Sequence, residues 1–315
     1  KNVLKAKNAI IIRGPTASGK TELSLKLAEK YPIDIISVDS VMVYKGLDIG
    51  SAKPSQDILK KYPHHLIDIC EPNDKYSAGR FIDDAHKKIK EIQSNDRIPL
   101  LAGGTMMYFK VLQDGLSELP SANEKIRKKI DIKAKEIGWP DMHIELEKID
   151  PDAAKKIKPN DKQRIQRAME VFMISGIPMS KLRRKTRIDN EFEYLDISLM
   201  PNDRESLYRN IDRRFDSMIE EGLLDEVSKL IEKKLVSYES HSMQSIGYRE
   251  MIDHILGKMT LDDAIESAKI SSRRYAKRQL TWLRSLDDEY KLDPLDKQKF
   301  KTIEGIINNH FEDKD

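Results

Sequence analysis

The sequence holds a single cysteine, Cys70, in 315 residues. An intramolecular disulfide is therefore impossible, and a Cys-rich zinc module is excluded. Cys70 closes the apolar run Leu66-Ile67-Asp68-Ile69, which marks a core thiol rather than a nucleophile. Long hydrophobic runs are missing too. Lysines precede the stretch Ala9-Ile10-Ile11-Ile12, but it is far too short for the apolar part of a signal peptide or for a membrane span. A cytoplasmic protein with no membrane partner is expected. There is no tandem repeat and no low-complexity linker, and no coiled coil or exposed apolar stripe demands an oligomer, so a monomer is expected. Net charge is only +3, too small to imply nucleic acid by itself, so the distribution of charge must carry any such reading.

Charged residues make up 35% of the chain, as in a helix-rich globular protein, and the length allows one large domain or two. Its most informative stretch is Gly14-Pro15-Thr16-Ala17-Ser18-Gly19-Lys20-Thr21, which fits the phosphate-loop pattern G-x-x-x-x-G-K-[ST]. An apolar, β-branched run precedes it. Leu23, Leu27 and Ala28 follow at helical spacing, so strand, glycine loop and helix come in the required order. Gly14 and Gly19 let the backbone aim its N–H groups at one point, and the first helical turn adds unpaired donors and a positive dipole end. Lys20 brings a mobile charge to the outer phosphate oxygens, and Thr21 offers a hydroxyl to a bound Mg²⁺. The loop specifies a phosphate or pyrophosphate ligand without deciding whether it is a nucleoside triphosphate.

Five apolar runs read as strands: residues 9–12, 33–38, 66–70, 98–102 and 194–199. Helical patterns separate the first four, as with Ala78, Phe81, Ile82, Ala85, Ile89 and Ile92. This alternation predicts an α/β fold, a parallel sheet of the phosphate-loop NTPase type flanked by helices. Ligands in such sheets lie beyond the carboxyl ends of the strands. Asp39 and Ser40 follow the second run, and Gly103-Gly104-Thr105 follow the fourth. Asp39 reads as a Mg²⁺ ligand, a general base, or a cap or turn residue. Thr105 places a hydroxyl at a helix start, where a plain N-cap competes with a functional role.

Residues 116–187 offer helices without strands and read as an all-helical insertion into a core formed by 1–115 and 188–315. Ser121 with Glu124 predicts a capping box for a helix that Gly138 ends; Asp150-Pro151 opens another, and Asn160 a third. Residues 155–187 carry eleven basic side chains against Asp161 and Glu170. Within them, Gln163-Arg164-Ile165-Gln166-Arg167 places long hydrogen-bonding side chains on the solvent side of a helix. Such an excess in a nearly neutral protein suggests a polyanion, with a solvated surface as the plain alternative. Downstream, Asn202 is the expected cap of a helix ending at Gly222, and Thr260 with Asp263 opens a long helix to about Leu286. On that helix Ile265, Ala268, Ser272, Tyr275, Gln279 and Trp282 trace one face, and Arg274, Lys277, Arg278 and Thr281 another. A second basic stripe thus faces solvent. From Asp287 onward charges dominate, with a break at Asp293-Pro294 and a final helix or frayed tail.

Three function classes fit these features: a small-molecule kinase, an ATP-driven nucleic-acid-binding module, and a transferase with pyrophosphate as leaving group. No apolar strand ending in Asp occurs late in the sheet, which counts against the ATPase. The basic helices exceed what a kinase lid requires. Beyond the phosphate loop, the blocks Ile36-Ser37-Val38-Asp39-Ser40, Val43-Tyr44-Lys45-Gly46-Leu47-Asp48-Ile49-Gly50, Ala52-Lys53-Pro54 and Ala102-Gly103-Gly104-Thr105 stand out. Further blocks are Asn160-Asp161-Lys162-Gln163-Arg164 with Arg167, Arg214-Phe215, Ser245-Ile246-Gly247-Tyr248-Arg249 and Lys277-Arg278-Gln279-Leu280-Thr281-Trp282-Leu283-Arg284. Together they resemble the tRNA isopentenyltransferase (tRNA dimethylallyltransferase) family, from residue 9 to about 285.

The resemblance implies transfer of a dimethylallyl group from its diphosphate to N6 of adenosine 37, beside the tRNA anticodon, with Mg²⁺ and release of diphosphate. It implies that Gly14, Pro15, Thr16, Ala17, Ser18, Gly19, Lys20 and Thr21 hold dimethylallyl diphosphate together with Arg214, that Asp39 is the base, and that Thr105 lies near the bridging oxygen. It implies tRNA contacts at Asp39, Ser40, Val41, Met42, Thr105, Arg127, Gln163, Arg164, Ile165, Gln166, Arg167, Lys277, Arg278, Trp282 and Arg284, with the anticodon stem-loop as partner. No Cys/His module like that of eukaryotic relatives follows, which points to the bacterial form. The related adenylate isopentenyltransferases and a small-molecule kinase remain as alternatives, against which the long basic C-terminal region argues.

Overall fold

The structure, a computed structural model, describes residues 8–115, 119–182, 191–287 and 290–312. It divides into two compact units, one of Lys1–Phe109 with Asn190–Asp315 and one of Lys110–Asp189. The boundaries expected at 115/116 and 187/188 adjoin or fall within 116–118 and 183–190, outside the described residues, as do Arg183, Arg184, Lys185 and Arg187 of the basic stretch.

The larger unit is built on a six-stranded parallel sheet. Its strands are β1 (Asn8–Arg13), β2 (Ile33–Val38), β3 (His64–His65), β4 (Ile98–Gly103), β5 (Glu193–Leu199) and β6 (Tyr290–Leu292), in the order β3-β2-β4-β1-β5-β6. The helices ahead of the insertion are α1 (Lys20–Lys30), α2 (Gln56–Lys61), α3 (Ala78–Ser94) and α4 (Met106–Asp114). The helical unit holds α5 (Glu124–Ile137), α6 (Trp139–Ile149), α7 (Pro151–Ala154), α8 (Lys162–Ser175) and α9 (Met179–Leu182). Then follow α10 (Arg204–Glu221), α11 (Leu223–Glu232), α12 (Tyr248–Ile255), α13 (Leu261–Arg284) and α14 (Lys299–Glu312).

Because side chains alternate along a strand, Ile10, Ile12, Ile35, Leu100 and Ile197 share one face, where Leu23 and Leu27 of α1 and Ile303 and Ile307 of α14 bury them. In register with one another, Ile11, Ile36 and Leu101 form the opposite layer, fully buried. Strands covered on both faces read as unbroken apolar runs, which is why β1, β2, β4 and β5 stand where the sequence places them. The run 66–70 does not. Leu66 and Asp68 take left-handed backbone conformations (φ 63° and 56°), so the segment is an irregular loop that buries Leu66 and Cys70 but leaves Ile69 exposed, and only His64–His65, just before it, pairs with β2. β6 was not expected; three residues of mixed polarity give too short a signal.

Three caps differ by one or two residues from expectation, each for a visible reason. Asn123, not Ser121, caps α5: its Oδ1 accepts from Lys125 and Ile126 N–H at 3.1 and 3.2 Å, while its own N–H donates to Glu170 at 2.7 Å. Asp161 replaces Asn160 as the cap of α8, and Asp203 replaces Asn202 at α10; in both, a carboxylate accepts from the first-turn N–H groups. Gly138, Gly176 and Gly222 terminate α5, α8 and α10. Thr260 caps α13 as expected.

Candidate active site

Strands β2, β4 and β1 are neighbours and parallel, so the segments leaving their carboxyl ends meet. They form the floor of a cleft of about 660 Å³. The phosphate loop lies on one side, Asp39 to Met42 opposite, and Gly103-Gly104-Thr105 between them. Helices α10 and α13 complete the walls with Ile211, Arg214, Phe215, Met218, Tyr275, Arg278 and Gln279, and Ser245 and Ile246 add a further edge. Ile211 and Leu207 of α10 pack on Ala276 and Leu280 of α13, with Ala17 of the loop against them. Arg273 grips Asp212 through both carboxylate oxygens at 2.6 and 2.7 Å, and Lys269 pairs with Asp216 at 2.6 Å. The loop is therefore seated on a helix pair as well as on the sheet.

Gly19 enters α1 with φ 80°, the left-handed geometry that glycine adopts without penalty. Lys20 Nζ donates to Pro15 O at 2.6 Å and to Ser18 Oγ at 3.4 Å. Burial and the nearby Arg214 charge push the Lys20 ammonium down to about 7, opposed by Asp39; Arg214 is also lowered by burial and supported by Asp39. Two cations held near one another without a matching pair of carboxylates form an anion site. Gly103 is obligatory here, because a Cβ would stand 2.0 Å from Val38 O.

Asp39 realises the turn reading with one oxygen: Oδ1 accepts from Val41 N–H at 2.7 Å and Met42 N–H at 3.0 Å. No hydrogen bond to Oδ2 occurs among the described residues, so one oxygen of this cleft-lining carboxylate remains available to a base. Thr105 does not cap by its hydroxyl; its Oγ1 accepts from Ser40 N–H at 3.1 Å, tying the ends of β2 and β4 together. Tyr275 donates to Gly104 O at 3.3 Å, and burial, with the Asp39 charge, pushes its phenol up to about 12, so it stays a donor at neutral pH.

The segment after Asp39 is strapped from a distance. Lys53, its side chain 2% exposed, donates to Tyr44 O at 3.0 Å, Asp48 at 2.7 Å and Asp68 at 2.5 Å. Glu226 of α11 accepts from Ile49 N–H at 2.9 Å and Tyr248 Oη at 2.6 Å, and the Tyr248 ring leaves no room for a side chain at Gly50.

Among the described residues no cluster of three His, Cys, Asp or Glu side chains exists that could cage a metal. Thr21 and Asp39 line the cleft singly. That donor set does not fit a resident ion, but it fits Mg²⁺ carried in by a diphosphate and still largely hydrated.

Not all the expected site residues converge. Thr16 to Thr21, Asp39, Ser40, Val41, Met42, Thr105, Arg214 and Arg278 line the cleft; Gly14 and Pro15 lie buried behind it. Lys277 and Arg284 are exposed on α13 away from the lining, and Trp282 is half-buried. In the helical unit Gln163 and Arg164 are exposed, but Ile165 is fully buried in that unit's core and its side chain reaches no surface partner. Nor do Gln166 and Arg167 point freely into solvent. Gln166 donates to Asp131 at 2.6 Å, and Arg167 and Arg127 both hold the buried Glu170, at 2.6 and 2.9 Å. Sequence reasoning placed Gln279 only on the inner face of its helix. It is 3% exposed and bonded to both sides of the cleft floor; the signal was a polar residue on an apolar face, which has to find partners.

The IPP transferase family model matches residues 42–286. A tRNA dimethylallyltransferase of Nitrosospira multiformis is 47% identical over 302 residues, covering 96% of this chain and 94% of its own. One from Nitrosomonas eutropha is 44% identical over 300 residues, 95% of each. The crystal structure of the full-length tRNA isopentenylpyrophosphate transferase of Bacillus halodurans aligns with a TM-score of 0.71 at 38% identity over 98% of both chains. A eukaryotic dimethylallyltransferase acting on tRNA gives 0.78 at 29% identity, over 98% of this chain and 80% of that one. With relatives of this identity matched end to end around a phosphate loop and a strand-end carboxylate, the chain belongs to the IPP transferase family.

Proposed function

We propose that the protein transfers a dimethylallyl group from dimethylallyl diphosphate to N6 of adenosine 37 in the anticodon stem-loop of a tRNA, releasing diphosphate. The observation that carries this is the opening of the phosphate loop and the Asp39 carboxylate into one cleft, large enough for a small diphosphate and a base together. Loop N–H groups from Ala17 to Thr21, with Lys20 and Arg214, bind the diphosphate and stabilise its growing charge. Thr21 would offer its hydroxyl to Mg²⁺ carried in by the diphosphate, and the ion would supply further charge neutralisation. Apolar walls from Ile211, Phe215, Met218 and Ile246 exclude water from the allylic carbon.

The exocyclic amine of adenine is a poor nucleophile. As its nitrogen bonds to the allylic carbon, the carbon–oxygen bond to the diphosphate breaks and the N6 proton passes to Asp39, whose other oxygen is held by Val41 and Met42. Thr105 keeps Asp39 at that position through Ser40. The target base leaves its stack to enter the cleft, and the exposed Arg274, Lys277, Arg278 and Arg284 of α13 offer the stem-loop a basic surface.

The test is incubation of the protein with Mg²⁺, dimethylallyl diphosphate and an unmodified tRNA having A36-A37, followed by nucleoside mass analysis. A five-carbon gain on adenosine 37 is expected. Modification of free adenosine phosphates with the tRNA unchanged would overturn the tRNA assignment, and ATP consumption with a small-molecule acceptor would replace it by a kinase.

A further inference from the structure

Gln279 sits in α13 with both ends of its amide engaged. Its Oε1 accepts from Thr16 N–H at 3.1 Å, and its Nε2 donates to Gly104 O at 2.8 Å. The amide orientation is fixed by these partners, since a flip would set N–H against N–H and oxygen against oxygen. A Cβ at residue 104 would lie 2.6 Å from Nε2, so glycine is needed there for the amide to fit. Thr16 N–H is thereby withheld from the anion: Gln279 uses a loop donor to fix the loop rather than leaving it for phosphate.

From Gly104 the connection continues. Thr105 accepts from Ser40 N–H, and Ser40 adjoins Asp39. The path from the leaving-group cradle to the base thus runs Thr16, Gln279, Gly104, Thr105, Ser40, Asp39. Substitution at an allylic carbon needs nucleophile and leaving group held at a set separation, and a misplacement of about 1 Å costs on the order of a hundredfold in rate. We propose that Gln279 is a positioning residue that sets the separation between the phosphate loop and the Asp39 carboxylate. This rests on the transferase reading given above.

Three measurements test it: single-turnover transfer and substrate binding in Gln279→Leu and Gln279→Glu, and amide hydrogen exchange at Thr16 in the unaltered protein. In Gln279→Leu, transfer is expected to fall about thirtyfold or more, while the Kd values for dimethylallyl diphosphate and tRNA stay within about threefold. Gln279→Glu keeps the acceptor for Thr16 and can donate to Gly104 O only when protonated, so its rate should recover toward acid pH and fall as the carboxyl ionises. Gln279→Leu shows no such pH-dependent recovery. Thr16 N–H should be protected before and after diphosphate binding. The proposal is overturned by transfer in Gln279→Leu within about threefold of the unaltered enzyme, by a loss that appears wholly in either Kd, or by a Thr16 amide exchanging as in free peptide. The exchange result decides even if neither variant folds. Failure of the transferase reading shows separately, as absence of transfer in the unaltered enzyme.

Discussion

Asp39→Asn separates the turn that this residue makes from its proposed role as base. The amide oxygen still accepts from Val41 and Met42 N–H, so the turn that orients the side chain is kept; its nitrogen then faces the position of the proton and cannot take it. Loss of a general base costs about 10²–10⁴ in rate, or about 2.7–5.4 kcal/mol of transition-state stabilisation at 1.36 kcal/mol per decade. Diphosphate binding feels two opposed changes. One negative charge disappears beside an anion, which favours binding, and Lys20 loses the carboxylate that supports its charge, which disfavours it. The KM for dimethylallyl diphosphate is expected within about threefold of the unaltered value at pH 6.5, where Lys20 is mostly charged. Asp39→Ala removes the turn bonds as well and should cost about 1 kcal/mol of stability that Asp39→Asn retains. The assay is single-turnover transfer of labelled dimethylallyl diphosphate to unmodified tRNA, with thermal unfolding alongside. A rate in Asp39→Asn within tenfold of the original refutes the base role, and a loss carried by KM alone makes Asp39 a binding residue.

Other consequences are equally open to measurement. Since Lys20 is pushed down to about 7 in the free protein and an anion restores its charge, diphosphate binding at pH 8 should take up about 0.9 proton and weaken as pH rises above 7; calorimetry in buffers of different ionisation enthalpy reads this, and an enthalpy independent of buffer refutes it. Lys277→Ala with Arg278→Ala should reduce the slope of log K against log salt for tRNA binding by about 1.4–1.8; an unchanged slope makes the stripe a plain solvated surface. Glu170→Leu leaves Arg127 and Arg167 without their acceptor and should destabilise the helical unit by about 3–5 kcal/mol, read as urea dependence of hydrogen exchange in residues 119–182. A loss below about 1 kcal/mol refutes the anchoring. Burial pushes the Glu170 carboxyl up, but the bonds from Arg127, Asn123 and Arg167 outweigh it and hold it below the usual range. Its contribution is thus present above the unfolded carboxyl pKa and lost as pH falls through the lower folded value.

The parts of the site that chemistry forces into local sequence were readable, and those held by distant partners were not. A phosphate loop needs its glycines, lysine and hydroxyl at fixed spacing, and the carboxyl ends of parallel strands can be found from apolar runs alone, which led to Asp39 and Thr105. The run at 66–70 misled because burial and extension are separate properties: Leu66 is buried with a left-handed backbone. Glu226 reaches Ile49 across 177 positions of chain and Tyr248 packs its ring on Gly50 from farther still, and no local pattern announces such a strap. Gln279 lies between these cases. Its block was visible, but its role depends on two loops that only the fold brings to it.

Counting basic residues treats every Lys and Arg as a free charge, and the fold sorts them into two kinds. Arg127 and Arg167 share one buried carboxylate, so with Glu170 they present a net single charge on two guanidinium groups already fixed in place. Such a pair has lost most of its rotamer freedom before binding, which favours orientation over long-range attraction. On α13, Lys269 and Arg273 are committed to Asp216 and Asp212, whereas Arg274, Lys277, Arg278 and Arg284 are exposed and have no ion pair among the described residues. Counterion release grows with the number of unpaired cations that meet phosphate. By that measure Lys155, Lys156, Lys158 and Lys162 of the helical insertion, exposed and without an ion pair among the described residues, should add to the α13 stripe in the salt dependence of the proposed tRNA complex, whereas the anchored Arg127 and Arg167 act through their fixed geometry.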